Sequence, residues 1–141
     1  MAPFLGIEAS PIDAREAGEI ERGIMALAPY SNAGLIVPTN GATLVHRDLI
    51  IALAARLKLP AVYWDRIFVT GGGLISYGYD NHDQYRGAAG YVDRILKGEK
   101  PGKLPVQAAS KFEMAVNLKT AKALGLMVPQ SILLRADEVI E

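Results

Sequence analysis

The chain has 141 residues, 50% of them apolar and 21% charged, which is enough for one globular domain with its own core and too little for a second complete one. Lysine plus arginine equals aspartate plus glutamate at 15 each, so no long-range field draws the chain to nucleic acid or an acidic membrane. Cysteine is absent, which removes thiol nucleophiles, zinc-thiolate sites and disulfides, and leaves periplasm and cytoplasm equally open.

The amino terminus carries neither a basic leader nor an apolar run long enough for a signal peptide, so the chain as written is not expected to be exported. Charges at Arg47, Asp48, Arg56 and Lys58 interrupt the most apolar region, and no run approaches the roughly 18 residues of a membrane span.

Phe4 to Glu8 is a short apolar run that ends at Ala9-Ser10-Pro11 and reads as a strand. Ile20, Ile24, Leu27 and Ala28 then recur at helical spacing, with Asp13 as a possible amino-terminal cap. Ala33 to Val37 is apolar on both faces, the pattern of a central parallel strand, and stops at Pro38-Thr39-Asn40-Gly41. From His46 a helix places Ile50, Leu53, Ala54 and Leu57 on one stripe, and Leu59-Pro60 ends it before a buried strand at Ala61 to Trp64.

Gly71-Gly72-Gly73 leads into a strand-like run from Leu74 to Gly78. A long helix follows, with Tyr85, Ala88, Ala89, Val92, Ile95 and Leu96 on its apolar face, small alanines that suggest close packing on a sheet, and Gly98 with Pro101 to close it. Leu104 to Gln107 is extended. Phe112, Met114 and Val116 alternate with Glu113 and Ala115 as a half-exposed edge strand. A short helix from Leu118 to Leu124 is stopped by Gly125, and Pro129 precedes a last amphipathic turn through Leu133, Leu134 and Val139.

Strands alternating with helices of this length predict an α/β fold with an open, parallel, doubly wound (Rossmann-like) sheet, folded as a single lobe. In such a sheet, ligands bind outside the carboxyl ends of the strands, where loops vary freely and helix amino termini face one crevice. The loops concerned are Ala9 to Pro11, Pro38 to Thr43, and Trp64-Asp65-Arg66. They offer hydroxyl, amide, carboxylate, guanidinium and indole groups, enough to hold a small polar or zwitterionic molecule, and no recognisable catalytic apparatus.

Other chemistries meet simpler explanations. The glycines at 71 to 73 precede a strand, whereas a phosphate cradle links a strand to a following helix, so a connector or hinge is the better reading. Asp80, His82 and Asp83 cluster where a helix cap belongs, which accounts for them without a metal. His46 has no partner placed by sequence to complete a dyad and reads as a solvated or capping histidine. Trp64, the only tryptophan, fits a core residue and a stacking platform alike, and Tyr77 and Tyr79 share that ambiguity. Arg15, Glu16, Glu19, Glu21 and Arg22 read as a solvated helix face.

Six stretches carry a family signature: Leu35-Ile36-Val37-Pro38-Thr39-Asn40, His46 to Ile50 with Ala52 to Arg56 and Leu59-Pro60-Ala61, Gly72 to Gly78, Ala88 to Gly98, Leu104-Pro105-Val106-Gln107, and Asn117 to Leu126. Together they resemble the ABC-transporter substrate-binding family typified by the tryptophan- and tyrosine-binding proteins, a branch of the type I periplasmic-binding-protein fold, and the match runs nearly the whole length. The resemblance implies a periplasmic, two-lobed protein that traps a small organic ligand, such as an amino acid, without cofactor or catalysis. It hands that ligand to a permease driven by an ATPase.

The chain corresponds to only about the carboxyl-terminal half of such a protein. By the resemblance, residues 1–73 and 104–141 form the core of the carboxyl-terminal lobe, and 74–103 form a hinge strand and a helix belonging against the missing first lobe. The helix from Gln84 to Lys97 then exposes an apolar face, and a homodimer or helix exchange through it is expected. The family's ligand contacts, carried over by position, fall on Thr39, Asn40 and Gly41 and on Gly72, Gly73 and Asp80. Asn40 stands where relatives often have aspartate, which removes a negative charge able to hold a ligand ammonium. Trp64, Asp65 and Arg66 are added from strand-end geometry alone.

Two rival functions stand beside the binding module. An enzyme on the same layer, using a nucleotide or cofactor, lacks the glycine fingerprint expected after the first strand. An interaction or regulatory protein would use the helix from Gln84 to Lys97 as its binding face.

Overall fold

The computed structural model describes residues 6–141. Phe4 and Leu5 of the expected first strand lie outside them, and of the rest only Ile7 forms an isolated β-bridge.

Among the described residues, five strands make one sheet in chain order: β1 (Leu35–Val37), β2 (Ala61–Tyr63), β3 (Ile75–Tyr79), β4 (Phe112–Asn117) and β5 (Glu138–Ile140). β1, β2 and β3 run parallel, β4 is antiparallel to β3, and β5 is parallel to β4, so the sheet is mostly parallel. The helices are α1 (Ala17–Met25), α2 (Gly41–Val45), α3 (Arg47–Arg56), α4 (Arg66–Thr70), α5 (Asn81–Leu96), α6 (Leu118–Leu124) and α7 (Gln130–Leu133), with a short 3-10 turn at Pro101–Lys103.

The core forms because two periodicities meet. Every second residue of a strand faces the same way, so the register Val37, Tyr63, Ser76, Ala115 makes one row on one face of the sheet. Ile20 and Ile24 of α1, Ile50, Leu53 and Ala54 of α3, and Phe68 of α4 pack with this face's Val37, Ala61 and Tyr63. Phe68 is fully buried and stacks on Tyr63 with ring centroids 4.9 Å apart. Burial pushes the Tyr63 phenol up to about 12, because its charged form has no water to solvate it. The row on the opposite face is more open: Ile36 is 79% and Val62 41% exposed.

Three expectations change. Ala33 to Val37 reads as a central strand, yet among the described residues β1 stands at an end of the sheet. Phe112 to Val116 reads as an edge strand, yet β4 lies between β3 and β5 with Ala115, Val116 and Asn117 buried. The cause is β5, which reads as the tail of an amphipathic turn but pairs along the outer side of β4. Asp13 is not the cap of α1: Glu16 holds that position, and the Asp13 carboxylate instead accepts hydrogen bonds from Arg15, which draws its pKa down to about 2. Gly125 does stop α6, in the left-handed conformation that closes a helix.

Candidate ligand-binding site

Parallel strands bring three turns to one end of the sheet. The carboxyl ends of β1, β2 and β3 lie there with the amino ends of β4 and β5, since the latter pair runs the other way. Each turn continues into a helix whose first free N–H groups are met by an adjacent side chain. Asn40 caps α2 by accepting from the Ala42 N–H at 2.8 Å, and Asp65 caps α4 by accepting from the Ile67 N–H at 2.8 Å. Asp80 caps α5 by accepting from the Asp83 N–H at 3.0 Å.

After β1, Thr39, Asn40 and Gly41 are all exposed. The Thr43 hydroxyl donates to the Asn40 carbonyl at 2.7 Å and holds this turn closed. After β2 and β3 the turns interlock. Asn81 donates its side-chain amide to the second Asp65 oxygen at 2.8 Å, tying the start of α5 to the start of α4. Gly78 makes the approach possible: a Cβ there would stand 1.7 Å from the Trp64 carbonyl oxygen, so no other residue lets β3 pass so close.

Between these turns lies a cavity of about 160 Å³. Trp64, Asp65 and Arg66 line it from the β2 side, Ser76, Gly78, Tyr79, Asn81 and His82 from the β3 side, and Glu113 from β4. The Trp64 ring meets Phe68 edge-on at 6.1 Å, and its indole N–H is buried with no acceptor of the protein in reach among the described residues. Arg66 forms an ion pair with Glu138 at 3.2 Å.

Asp80 is 4% exposed, and besides capping α5 it takes a hydrogen-bonded ion pair from Lys111. The Lys111 ammonium, and then the Asp83 N–H, hold the Asp80 carboxyl below its ordinary range. Its oxygens thus fasten the outgoing end of β3 to the segment that returns into β4.

The expected site residues therefore separate into two groups. Thr39, Asn40, Gly41, Trp64, Asp65 and Asp80 are gathered at the carboxyl end of β1–β3, while Gly72 and Gly73 stand at the amino end of β3, the other end of the sheet. A Cβ on Gly73 would meet the Tyr63 ring at 2.6 Å and the Phe68 carbonyl oxygen at 2.8 Å, and the Gly72 carbonyl accepts from the Thr120 hydroxyl at 2.9 Å, so Gly73 packs against β2 and α4 while Gly72 ties to α6. A larger, more open apolar groove of about 400 Å³ runs along that end, lined by Leu118, Ala121, Lys122 and Leu126 among others. Sequence reading missed Glu113 and Asn81. Glu113 enters through the antiparallel register Gly78 to Glu113, which a strand read as an edge does not suggest.

The family described as ABC transporter substrate binding protein matches residues 1–140. The chain belongs to this family. Two solved structures agree with the ABC substrate-binding chain along its length, each with a TM-score of 0.85 and 26% identity. One is a conserved domain protein from Vibrio cholerae, matched over 98% of this chain and 46% of its own. The other, from Streptococcus pneumoniae, is an ABC domain in complex with L-Trp, matched over 99% of this chain and 48% of its own. This substrate-binding chain thus spans about half the length of either. A Clostridium difficile substrate-binding protein with adhesive properties, in its ligand-free open form, shares the fold at a TM-score of 0.63 and 23% identity, over 89% of this chain and 41% of its own. No curated protein matches the chain. No helix among the described residues is long and apolar enough to cross a membrane.

Proposed function

We propose that this chain is one lobe of a two-lobed, periplasmic solute-binding protein that delivers a small organic ligand, such as an amino acid, to the permease and ATPase of an ABC import system. The observation that carries the reading is the meeting of the two capped turns after β2 and β3 around one cavity at the carboxyl end of the parallel strands, in a chain of the substrate-binding family. The L-Trp complex of the streptococcal relative supports a ligand of the amino-acid class. Thr39, Asn40, Gly41, Trp64 and Asp65 are the groups this lobe presents, with Asp80 holding the turn beside them. No step of the proposed role is catalytic. A ligand held by one lobe is covered on one side, so binding to this chain alone is weak.

The uncovered face of α5 supports a second element of the proposal, association of two chains through the helix from Gln84 to Lys97. Val92 is 54% and Leu96 81% exposed there, although both belong to the apolar stripe.

A thermal-shift titration with amino acids, aromatic acids, small amides and nucleotides tests the ligand reading. A melting temperature that climbs with concentration for members of the first three classes is the expected result. Stabilisation by nucleotides alone would instead favour an enzyme on the same layer, to be followed by a turnover assay.

A further inference from the structure

We propose that the cavity beside β3 is a cation subsite, in which the Glu113 carboxylate and the Ser76 hydroxyl take an ammonium group of the ligand. This deepens the solute-binding reading and rests on it. Both residues line the cavity of about 160 Å³. The antiparallel register sets Glu113 opposite Gly78 and Ala115 opposite Ser76, so Glu113 and Ser76 project from one face of neighbouring strands, a single diagonal step apart. On that same face the Trp64 carbonyl oxygen stands beside Gly78, 1.7 Å from where a Cβ would be. An ammonium brings donors only, and the groups gathered here are acceptors.

Two further observations select a cation. Ser76 is 2% exposed, yet its hydroxyl has no hydrogen-bond partner among the described residues, where the one such atom sealed off completely is the Trp64 Nε1. The small surface that Ser76 keeps therefore opens on the cavity it lines. Glu113 is half-buried and takes part in no ion pair or hydrogen bond among the described residues. The nearby cations are engaged elsewhere: Arg66 by Glu138 at 3.2 Å, and Lys111, which feels the Glu113 charge, by Asp80. Asp65 already accepts from the Ile67 N–H and the Asn81 amide. The walls thus hold the carboxylates of Asp65 and Glu113 against one guanidinium that is already paired, and a half-buried carboxylate without its own counter-ion favours an occupant that supplies one. The carboxylate end of an amino acid is repelled from the same walls and points out of the cavity.

Titrating the intact chain with propylamine, propionate, propionamide and L-alanine at equal ionic strength separates the charges. The expected result is that propylamine and L-alanine raise the melting temperature and move the Ser76 and Glu113 amide resonances, while propionate does neither. Glu113→Gln, which keeps the shape and removes the charge, weakens propylamine binding about tenfold, and Ser76→Ala weakens it about fivefold. The unliganded melting temperature of Glu113→Gln stays equal, a split that a merely structural glutamate would not give. If propionate or propionamide binds as well as propylamine, if L-alanine binds and propylamine does not, or if Glu113→Gln binds propylamine as the native chain does, the cation assignment fails and solute binding stands. If no probe stabilises the chain or moves a resonance, both fall.

Discussion

Helices α3 and α5 obey the same amphipathic rule and meet opposite fates. α3 spans 10 residues and buries Ile50, Ile51, Leu53 and Ala54, whereas α5 spans 16 and buries none. The difference lies in where the chain carries each helix. α3 is bounded by two parallel strands and must cross the sheet to connect them, which lays its stripe on the core. α5 connects β3 to the antiparallel β4, a link that needs no crossover, and it is moored by the Asp80–Lys111 pair, the Asn81–Asp65 bond and the Tyr91 hydroxyl donating to the Pro105 carbonyl. An apolar stripe marks the face a helix would bury. It does not show that this chain's own sheet covers it.

The largest expected contrast comes from cutting into the packed half. Phe68→Ala removes a ring that is 0% exposed and stacked on Tyr63. It should cost about 3–5 kcal/mol, read as a lowered urea midpoint, and a loss below about 1 kcal/mol would mean that the α4 contact is not part of the core. Next is the junction between the halves. Gly78→Ala forces a methyl group to within 1.7 Å of the Trp64 carbonyl oxygen in the unrelaxed backbone. A loss of about 1–3 kcal/mol is expected, together with a shifted tryptophan emission as the β2 turn is pushed away from β3.

The mooring of α5 should respond to acid. Asp80's folded pKa is depressed, chiefly by Lys111, so its contribution is fully present above the pKa of the unfolded carboxyl and is lost as pH falls through the folded value. Hydrogen exchange in residues 104–111 should accelerate across that acidic window in the native chain. Asp80→Asn should speed it at neutral pH and flatten the acid dependence. An Asp80→Asn chain that retains the native acid limb would place the titration elsewhere.

Much of the fold was legible because short-range signals agreed. Pro38 and Gly125 end elements where they stand, whereas α3 stops at Arg56, ahead of Pro60, with Lys58 in the left-handed conformation; the stripes of α1 and α3 are the ones that pack. What escaped depended on contacts far apart in the chain. Glu138 to Ile140 is three residues long, too short for a period, and only its pairing with β4 makes it a strand and turns β4 into an interior one. The helices α2 and α4 have five residues each, and their caps, Asn40 and Asp65, read first as loop groups for binding a ligand. Of the site, the strand-end loops were predictable from topology. Glu113, the Gly78 close approach and the Gly72–Gly73 position at the far end required the register.

The smallest expected effect on stability is also the one that best tests what α5 is for. Val92 and Ile95 are 54% and 39% exposed, and the methylene stem of lysine can cover what they cover, so replacing both should change unfolding free energy by no more than about 1 kcal/mol per site. Association is another matter, because two ammonium groups on the stripe would have to lose their water in any helix–helix contact. Sedimentation should then show native chains associating with rising concentration and the double variant remaining a monomer of equal compactness. If the native chain is itself monomeric at every concentration, the stripe is not a self-association surface, and its apolar residues answer to a partner other than a second copy. If the double variant loses stability as well as association, α5 packs more closely on its own chain than its exposed stripe indicates, and the contrast with α3 is one of degree.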